Sequence, residues 1–186
     1  MISSMTKREL ANSLKKLMNK KPIDKIPIRE IVAECGVNRQ TFYYHFQDIY
    51  DLLEWIYKTE IIDRISEDRT YKTWQKGFLK IFYYIEDNKE FCMNTYHSLG
   101  REHLDNFIYN NTFELIIYVV NEVSEGINVE DEDKKFIANF YTYAFVNLVI
   151  VWLKDGMKES PEYIIERLNK LIEGDIEKAL KKYEQE

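Results

Sequence analysis

The nineteen residues IREIVAECGVNRQTFYYHF, Ile28 to Phe46, constrain the fold more tightly than any other stretch of the chain. Ile28, Ile31, Val32 and Cys35 recur at the i, i+3, i+4, i+7 spacing that gathers them on one helix face, while Arg29, Glu30, Ala33 and Glu34 face elsewhere. Pro27 suits the first helical position, where its missing N–H costs nothing. Gly36 follows the last periodic residue and is free to take the left-handed C′ conformation that stops the helix. Val37 then plugs the gap between two helices. Asn38 is a good N-cap, its side-chain oxygen placed to accept from the amide of Gln40 or Thr41. A second helix is expected from Arg39, burying Phe42 and Phe46, turning Gln40, Tyr43, Tyr44 and Gln47 outward and leaving Arg39 and Thr41 on the exposed first turn. Two short helices joined at a tight glycine turn are a helix-turn-helix layout. Its outward face carries hydrogen-bonding and aromatic groups where a solvated face ordinarily carries Lys and Glu.

At these residues the chain resembles the TetR family of bacterial transcriptional regulators. The family pattern is a helix ending Ala-Gly-Val, a small polar cap and a recognition helix ending Tyr-x-His-Phe, read here as Cys35-Gly36-Val37, Asn38 and Tyr43-Tyr44-His45-Phe46. The likeness includes the preceding helix, Thr6 to Met18 with Leu10, Leu14 and Leu17 on one face, and a long helix opening at Asp48 with Leu52, Leu53 and Ile56. The resemblance implies an all-α protein: a three-helix helix-turn-helix DNA-binding domain over residues 1–47, then a helical effector-sensing and dimerisation domain over residues 48–186. On that reading Arg39, Gln40 and Thr41 are the candidates for base edges, since Arg pairs two-pronged with guanine and Gln with adenine. Tyr43, Tyr44, His45, Lys25 and Arg29 are assigned to phosphates, which set register and affinity. Two positions depart from the pattern. Pro27 stands where a Thr or Ser often caps the first motif helix and touches a phosphate, and Ile49 stands where many members carry a Lys. Arg29, Lys25, Lys20 and Lys21 are the cations available to compensate.

Charge follows the same division. Residues 1–47 hold nine Lys and Arg against four Asp and Glu, the remainder seventeen against twenty-eight, for a net −6 overall. A small basic module on an acidic body suits an operator binder rather than a general nucleic-acid coater. With 45% apolar residues and only three prolines and six glycines, the chain has a full core and helical periodicity nearly throughout. The longest strongly apolar run, Ala144 to Leu153 with Asn147 inside it, is too short for a bilayer span, and the N-terminus has no signal-peptide segment, so a cytoplasmic protein without a membrane partner is expected.

Enzyme chemistry finds no support in the motifs. Three histidines, no H-E-x-x-H, no nucleophile elbow and no phosphate-cradling glycine loop leave no assembled catalytic set, and nothing calls for a cofactor. Cys92 with His97 and His103 makes a metal- or redox-responsive regulator an alternative, but C-x4-H-x5-H is not a spacing that one helix turn presents to one ion, so no metal site is expected. A helical adaptor that keeps the motif only as scaffold is another.

Beyond the motif, helices are expected over Asp48 to Glu67, Thr70 to Glu86, Phe91 to Leu99, Glu102 to Glu125, from Asp131 to a stop at Gly156, and from Pro161 onward with Ser160 as N-cap. The Asp131 helix is apolar almost all round: Phe136, Phe140, Ala144, Leu148 and Val151 lie on one side, Ile137, Tyr141, Phe145 and Val149 beside them. The last helix lines up Ile164, Ile165, Leu168, Leu171, Ile172, Ile176 and Leu180. The family resemblance implies that the last two long helices pair with their copies as a four-helix bundle, giving a homodimer on palindromic double-stranded operator DNA. Tyr71, Trp74-Gln75, Leu79, Tyr84, Asn88, Phe91 and the Gly156…Ser160-Pro161-Glu162 junction resemble the subgroup containing activators of dihydroxyacetone kinase operons, where the signal can arrive through a protein partner. For a small-molecule effector, Tyr83, Tyr84, Tyr96, His97, Phe107, Tyr118 and Tyr141 are the candidate cavity residues, with phenols to orient a mostly apolar ligand. Whether binding activates or represses is left open.

Overall fold

A computed structural model describes residues 2–65 and 70–185, and side chains over 4–60 and 70–185. Ten α-helices and no strand are found among the described residues: α1 Ile2–Met18, α2 Ile28–Glu34, α3 Arg39–His45, α4 Ile49–Ile65, α5 Trp74–Asp87, α6 Lys89–Tyr96, α7 Arg101–Val123, α8 Asp131–Lys154, α9 Pro161–Ile172 and α10 Asp175–Lys182, with a 3-10 turn at Ile23–Lys25. Packing divides the chain into two compact units, Met1–Glu60 with Asn88–Phe107, and Ile61–Asp87 with Ile108–Glu186.

The first unit buries what the sequence pattern offers it. Leu10, Leu14, Ile31, Phe42, Leu52, Leu53 and Ile56 are all 0% exposed. Fully burying such side chains contributes about 1.5–3 kcal/mol each. The unit also takes in α6: Tyr57 packs on Phe91 and Phe107 and donates to Thr95 Oγ1 at 3.0 Å, which in turn donates to the Phe91 carbonyl. Asn94 of α6 reaches the end of α1, donating to the carbonyls of Met18 and Lys21 at 2.7 Å each and accepting from the Ile23 amide at 2.9 Å.

In the second unit, Trp74 and Phe78 of α5 lie edge-on to Phe145 of α8, and Phe82 lies edge-on to Trp152. Such pairs add about 0.5–1.5 kcal/mol beyond area burial. Of the α8 residues, Ile137, Phe145 and Val149 are buried, whereas Phe136, Phe140, Ala144, Leu148 and Val151 are exposed. The two flanks read from the sequence are therefore an inner and an outer face. By length and composition α8 passes for a membrane span, which the ten-residue run Ala144 to Leu153 understated; half of its most apolar stretch is buried within the unit, as in a core helix.

Three local expectations are corrected. Pro27 is the N-cap of α2 rather than its first residue, with φ −75° and ψ 147°. The Thr70 helix begins at Trp74, because the Thr73 hydroxyl accepts from the Thr70 amide at 3.1 Å and bonds its hydroxyl, holding a turn. The last helix is two, because Gly174 at φ 75° breaks the line between Ile172 and Asp175. The expected Asp48 helix opens one residue later, at Ile49, with the Asp48 carboxylate accepting from amides of its first turn, and residues 66 and 67 of that expected helix lie outside the described ones.

Candidate nucleic-acid interface and body cavity

The turn between α2 and α3 is built by backbone bonds that only a left-handed residue permits. Gly36 sits at φ 71°, and beyond it the Val37 amide donates back to the Val32 carbonyl at 2.9 Å, closing a Schellman-type stop. Asn38 then caps α3, its Oδ1 accepting from the Thr41 amide at 2.8 Å and from the Thr41 hydroxyl at 3.1 Å. With Phe42 and Phe46 buried, the helix presents Arg39 and Gln40 exposed and Tyr43 and Tyr44 at 57% and 81% exposure. Thr41 is half-buried at its cap, and His45 is half-buried edge-on to Tyr44.

The cations between residues 15 and 39 fall into two sets. Lys15, Lys16 and Lys21 are committed to Glu60, Glu34 and Glu30, and Lys16 holds the Glu34 carboxyl below its ordinary pKa. Lys20, Lys25, Arg29 and Arg39 are exposed and make no ion pair among the described residues. Lys21 is thus poorly placed to replace a missing phosphate contact, while the other three flank cations remain available. At the start of α4, where Ile49 stands, the helix end is satisfied from within the chain. Asp48 Oδ1 accepts from the amides of Tyr50 and Asp51, and Asp51 accepts from the Gln47 amide at 2.9 Å, so the protein's own carboxylates satisfy this helix end. A phosphate would meet negative charge there.

The second unit contains a cavity of about 300 Å³. Trp74, Phe78, Phe145, Leu115 and Val119 supply apolar walls, and Gln75, Tyr141 and Asn169 supply polar groups. Of the seven aromatic and histidine residues named from the sequence, Tyr141 alone lines it. Tyr83 is bonded to Glu162, which raises its pKa; Tyr84 is buried in α5, and Tyr118 is 50% exposed. Tyr96, His97 and Phe107 belong to the first unit, where Arg101 lies over the Tyr96 ring and Phe107 packs on Tyr57. Helical spacing told which residues share a face but not which faces of different helices meet. Trp74, Gln75 and Asn169 carried no signal as cavity residues in the sequence, although Trp74 and Gln75 belong to the residues that carried the subgroup resemblance.

Cys92 is fully buried and its thiol is pushed up to about 12 by that burial, which works against a thiolate ligand or redox nucleophile. His97 is exposed at the end of α6, and His103 stacks on Tyr50 at 6.0 Å. No group of three or more His, Cys, Asp or Glu poised for a metal ion occurs among the described residues.

A capped, outward-facing helix after a glycine turn, with exposed cations in the same unit, and a second helical unit holding a cavity are the features of a DNA-binding regulator with a helix-turn-helix head. Residues 12–56 match the family described as bacterial regulatory proteins, tetR family, and residues 72–174 match a transcriptional regulator C-terminal region. The chain belongs to the TetR family of transcriptional regulators. It is 26% identical over 139 residues to the HTH-type dhaKLM operon transcriptional activator DhaS of Lactococcus lactis subsp. lactis (strain IL1403), covering 74% of each chain. The solved structure of a dihydroxyacetone kinase operon activator DhaS superposes with a TM-score of 0.72 at 22% identity, over 97% of this chain and 98% of that one. NalD, the secondary repressor of the MexAB-OprM multidrug efflux pump in Pseudomonas aeruginosa, superposes at 0.67 with 14% identity, over 92% and 96%. These two structural likenesses are likenesses of fold.

Proposed function

We propose that this regulator acts in the cytoplasm as a homodimer on a palindromic operator, with residues 1–47 as the reading head and residues 48–186 as the body that receives the signal. The observation that carries the reading is the surface of the head: Gln40, Tyr43 and Tyr44 of α3 are exposed, as are Arg39, Lys25 and Arg29, which make no ion pair among the described residues. Arg39, Gln40 and Thr41 read bases, and Tyr43, Tyr44, His45, Lys25 and Arg29 hold phosphates. The outer face of α8 supports the dimer. Phe136, Phe140 and Tyr143 are 58–65% exposed, and a groove of about 640 Å³ between α8 and α9 continues the surface past Leu148, Val151 and Leu171. A contiguous apolar face of this kind calls for a partner surface. Two-fold pairing places two recognition helices about 34–36 Å apart, one turn of B-DNA. The signal acts through α4, the helix that follows the head directly, and the effector must bind the two states unequally.

The test begins with an operator selected from a random duplex pool. Gln40→Ala relaxes preference at one base pair, while Lys25→Ala weakens every sequence alike and flattens the salt dependence. Equal losses on selected and random duplex for both variants would overturn the division of labour. A second reading concerns the sign of control. The relative DhaS is described as an activator, and the shared body favours activation here; in vitro transcription from a promoter carrying the selected operator decides it, a drop in transcript overturning activation.

A further inference from the structure

The cavity of the second unit is lined by aromatic rings and by two side-chain amides. Gln75 Nε2 donates to Asn169 Oδ1 at 2.6 Å, tying α5 to α9 at the cavity wall. That bond uses one donor of Gln75 and one lone pair of Asn169. It leaves the Gln75 carbonyl oxygen and the Asn169 NH2 with no other partner among the described residues. Both residues line the same cavity as Trp74, Phe78 and Phe145, so its lining combines a neutral acceptor and a neutral donor with an aromatic wall. The charged residues of the lining, Lys72 and Glu173, are exposed at its rim, so no ionic group stands among the buried walls.

From this arrangement we infer that the cavity binds a small neutral ring compound bearing an amide-like edge, a donor and an acceptor on one end, such as a carboxamide or a lactam. The ring lies against Trp74 and Phe145, and the edge pairs with the Gln75 and Asn169 amides. A volume of about 300 Å³ is at the lower limit for ligand sites and suits a single ring with a short substituent. A carboxylate of the same shape loses hydration at the apolar wall and leaves the Gln75 carbonyl facing an acceptor. A closed Gln75–Asn169 pair also links the two helices whose spacing a bound ligand would reset. The inference rests on the reading of the chain as an effector-controlled regulator and names the class of effector.

The test uses the full chain and two isosteric probes, trans-cinnamamide and trans-cinnamate, titrated by calorimetry near neutral pH. Cinnamamide is expected to bind at least roughly tenfold more tightly, since an unpaired polar edge is costly. Gln75→Leu is expected to erase that preference, and Val119→Phe, which fills the cavity from α7, to abolish binding of both probes while far-UV circular dichroism stays unchanged. Val119→Ile, a smaller intrusion, serves if the Phe variant loses its helical signal, and weakens both probes alike. Equal or tighter binding of cinnamate, binding unaffected by filling the cavity, or no binding of cinnamamide at millimolar concentration would each overturn the inference. Retardation of the selected operator by the ligand-free protein is measured on the same samples. Loss of probe binding with retained retardation rejects the ligand class alone, and loss of retardation rejects the regulator reading.

Discussion

Asn94 is the single side chain whose removal has the best-defined cost. Its amide makes three hydrogen bonds to backbone, to the carbonyls of Met18 and Lys21 and from the amide of Ile23, at 2.7, 2.7 and 2.9 Å. Ile23 is 1% exposed, so on Asn94→Ala its N–H is left without a partner where water has little access. The two carbonyls sit at the end of α1 beside the exposed Asn19 and Lys20, and water replaces Asn94 there more readily. One buried orphan costs about 1–3 kcal/mol and two water-replaceable bonds about 0.5 kcal/mol each, for a total of about 2–4 kcal/mol. Asn94→Asp is worse, because an ionised acceptor then faces two carbonyls. Native-state hydrogen exchange reads the effect where it acts. At about 1.4 kcal/mol per decade, amides of the 3-10 turn and α2, from Ile23 to Val32, lose roughly 30- to 700-fold protection while α9 amides stay unchanged. Protection within threefold of the unsubstituted protein, or an Asp variant as protected as the Asn, would refute the assignment of Asn94 as the clasp between α6 and the segment entering α2.

The remaining expectations are shorter. Asn38→Ala removes the α3 cap and costs about 0.5–2 kcal/mol, read as a lower urea midpoint with unchanged slope; Asn38→Asp retains most of the stability, and equal loss in both variants contradicts the cap's role. Phe140→Lys puts a charge on the outer face of α8, 65% exposed in the single chain, so sedimentation should show monomers with unaltered helicity; persistence of the dimer at nanomolar concentration removes α8 from the interface. Alkali should destabilise the fold. The Cys92 thiol rises from 9.0 to about 12 through burial, and the Tyr50 phenol from 10.0 to about 12 through burial and its bond to Asp24. Both groups are raised in the folded state, so their stabilising effect is full below their unfolded values and is lost as pH climbs through 9 and 10 toward about 12. Cys92→Ala should therefore flatten the fall in urea midpoint across that window, and an unchanged fall would show the thiol is not responsible.

The head of this protein is written almost entirely in local sequence. The stop at Gly36, the cap at Asn38, the buried pair Phe42 and Phe46 and the outward Tyr43 and Tyr44 all depend on residues within a few positions of one another. Periodicity also separated the outer face of α8, from Phe136 to Val151, from its inner face. It did so because a helix repeats every 3.6 residues whatever surrounds it. What periodicity does not carry is the identity of the face across the gap. Tyr83, Tyr118 and Tyr141 all occupy plausible helical positions, and only Tyr141 meets Trp74, Phe145 and the Gln75–Asn169 pair, because α5, α7, α8 and α9 are brought together by burial summed over whole helices. Asn94 is the same case in polar form. Its three partners lie more than seventy residues away, and no local pattern distinguishes it from a solvated asparagine. The sequence by itself determined the DNA-reading helix, since short-range sterics and capping suffice for it; tertiary structure alone decided the cavity and the clasp, since each exists only where distant surfaces are pressed out of water against one another.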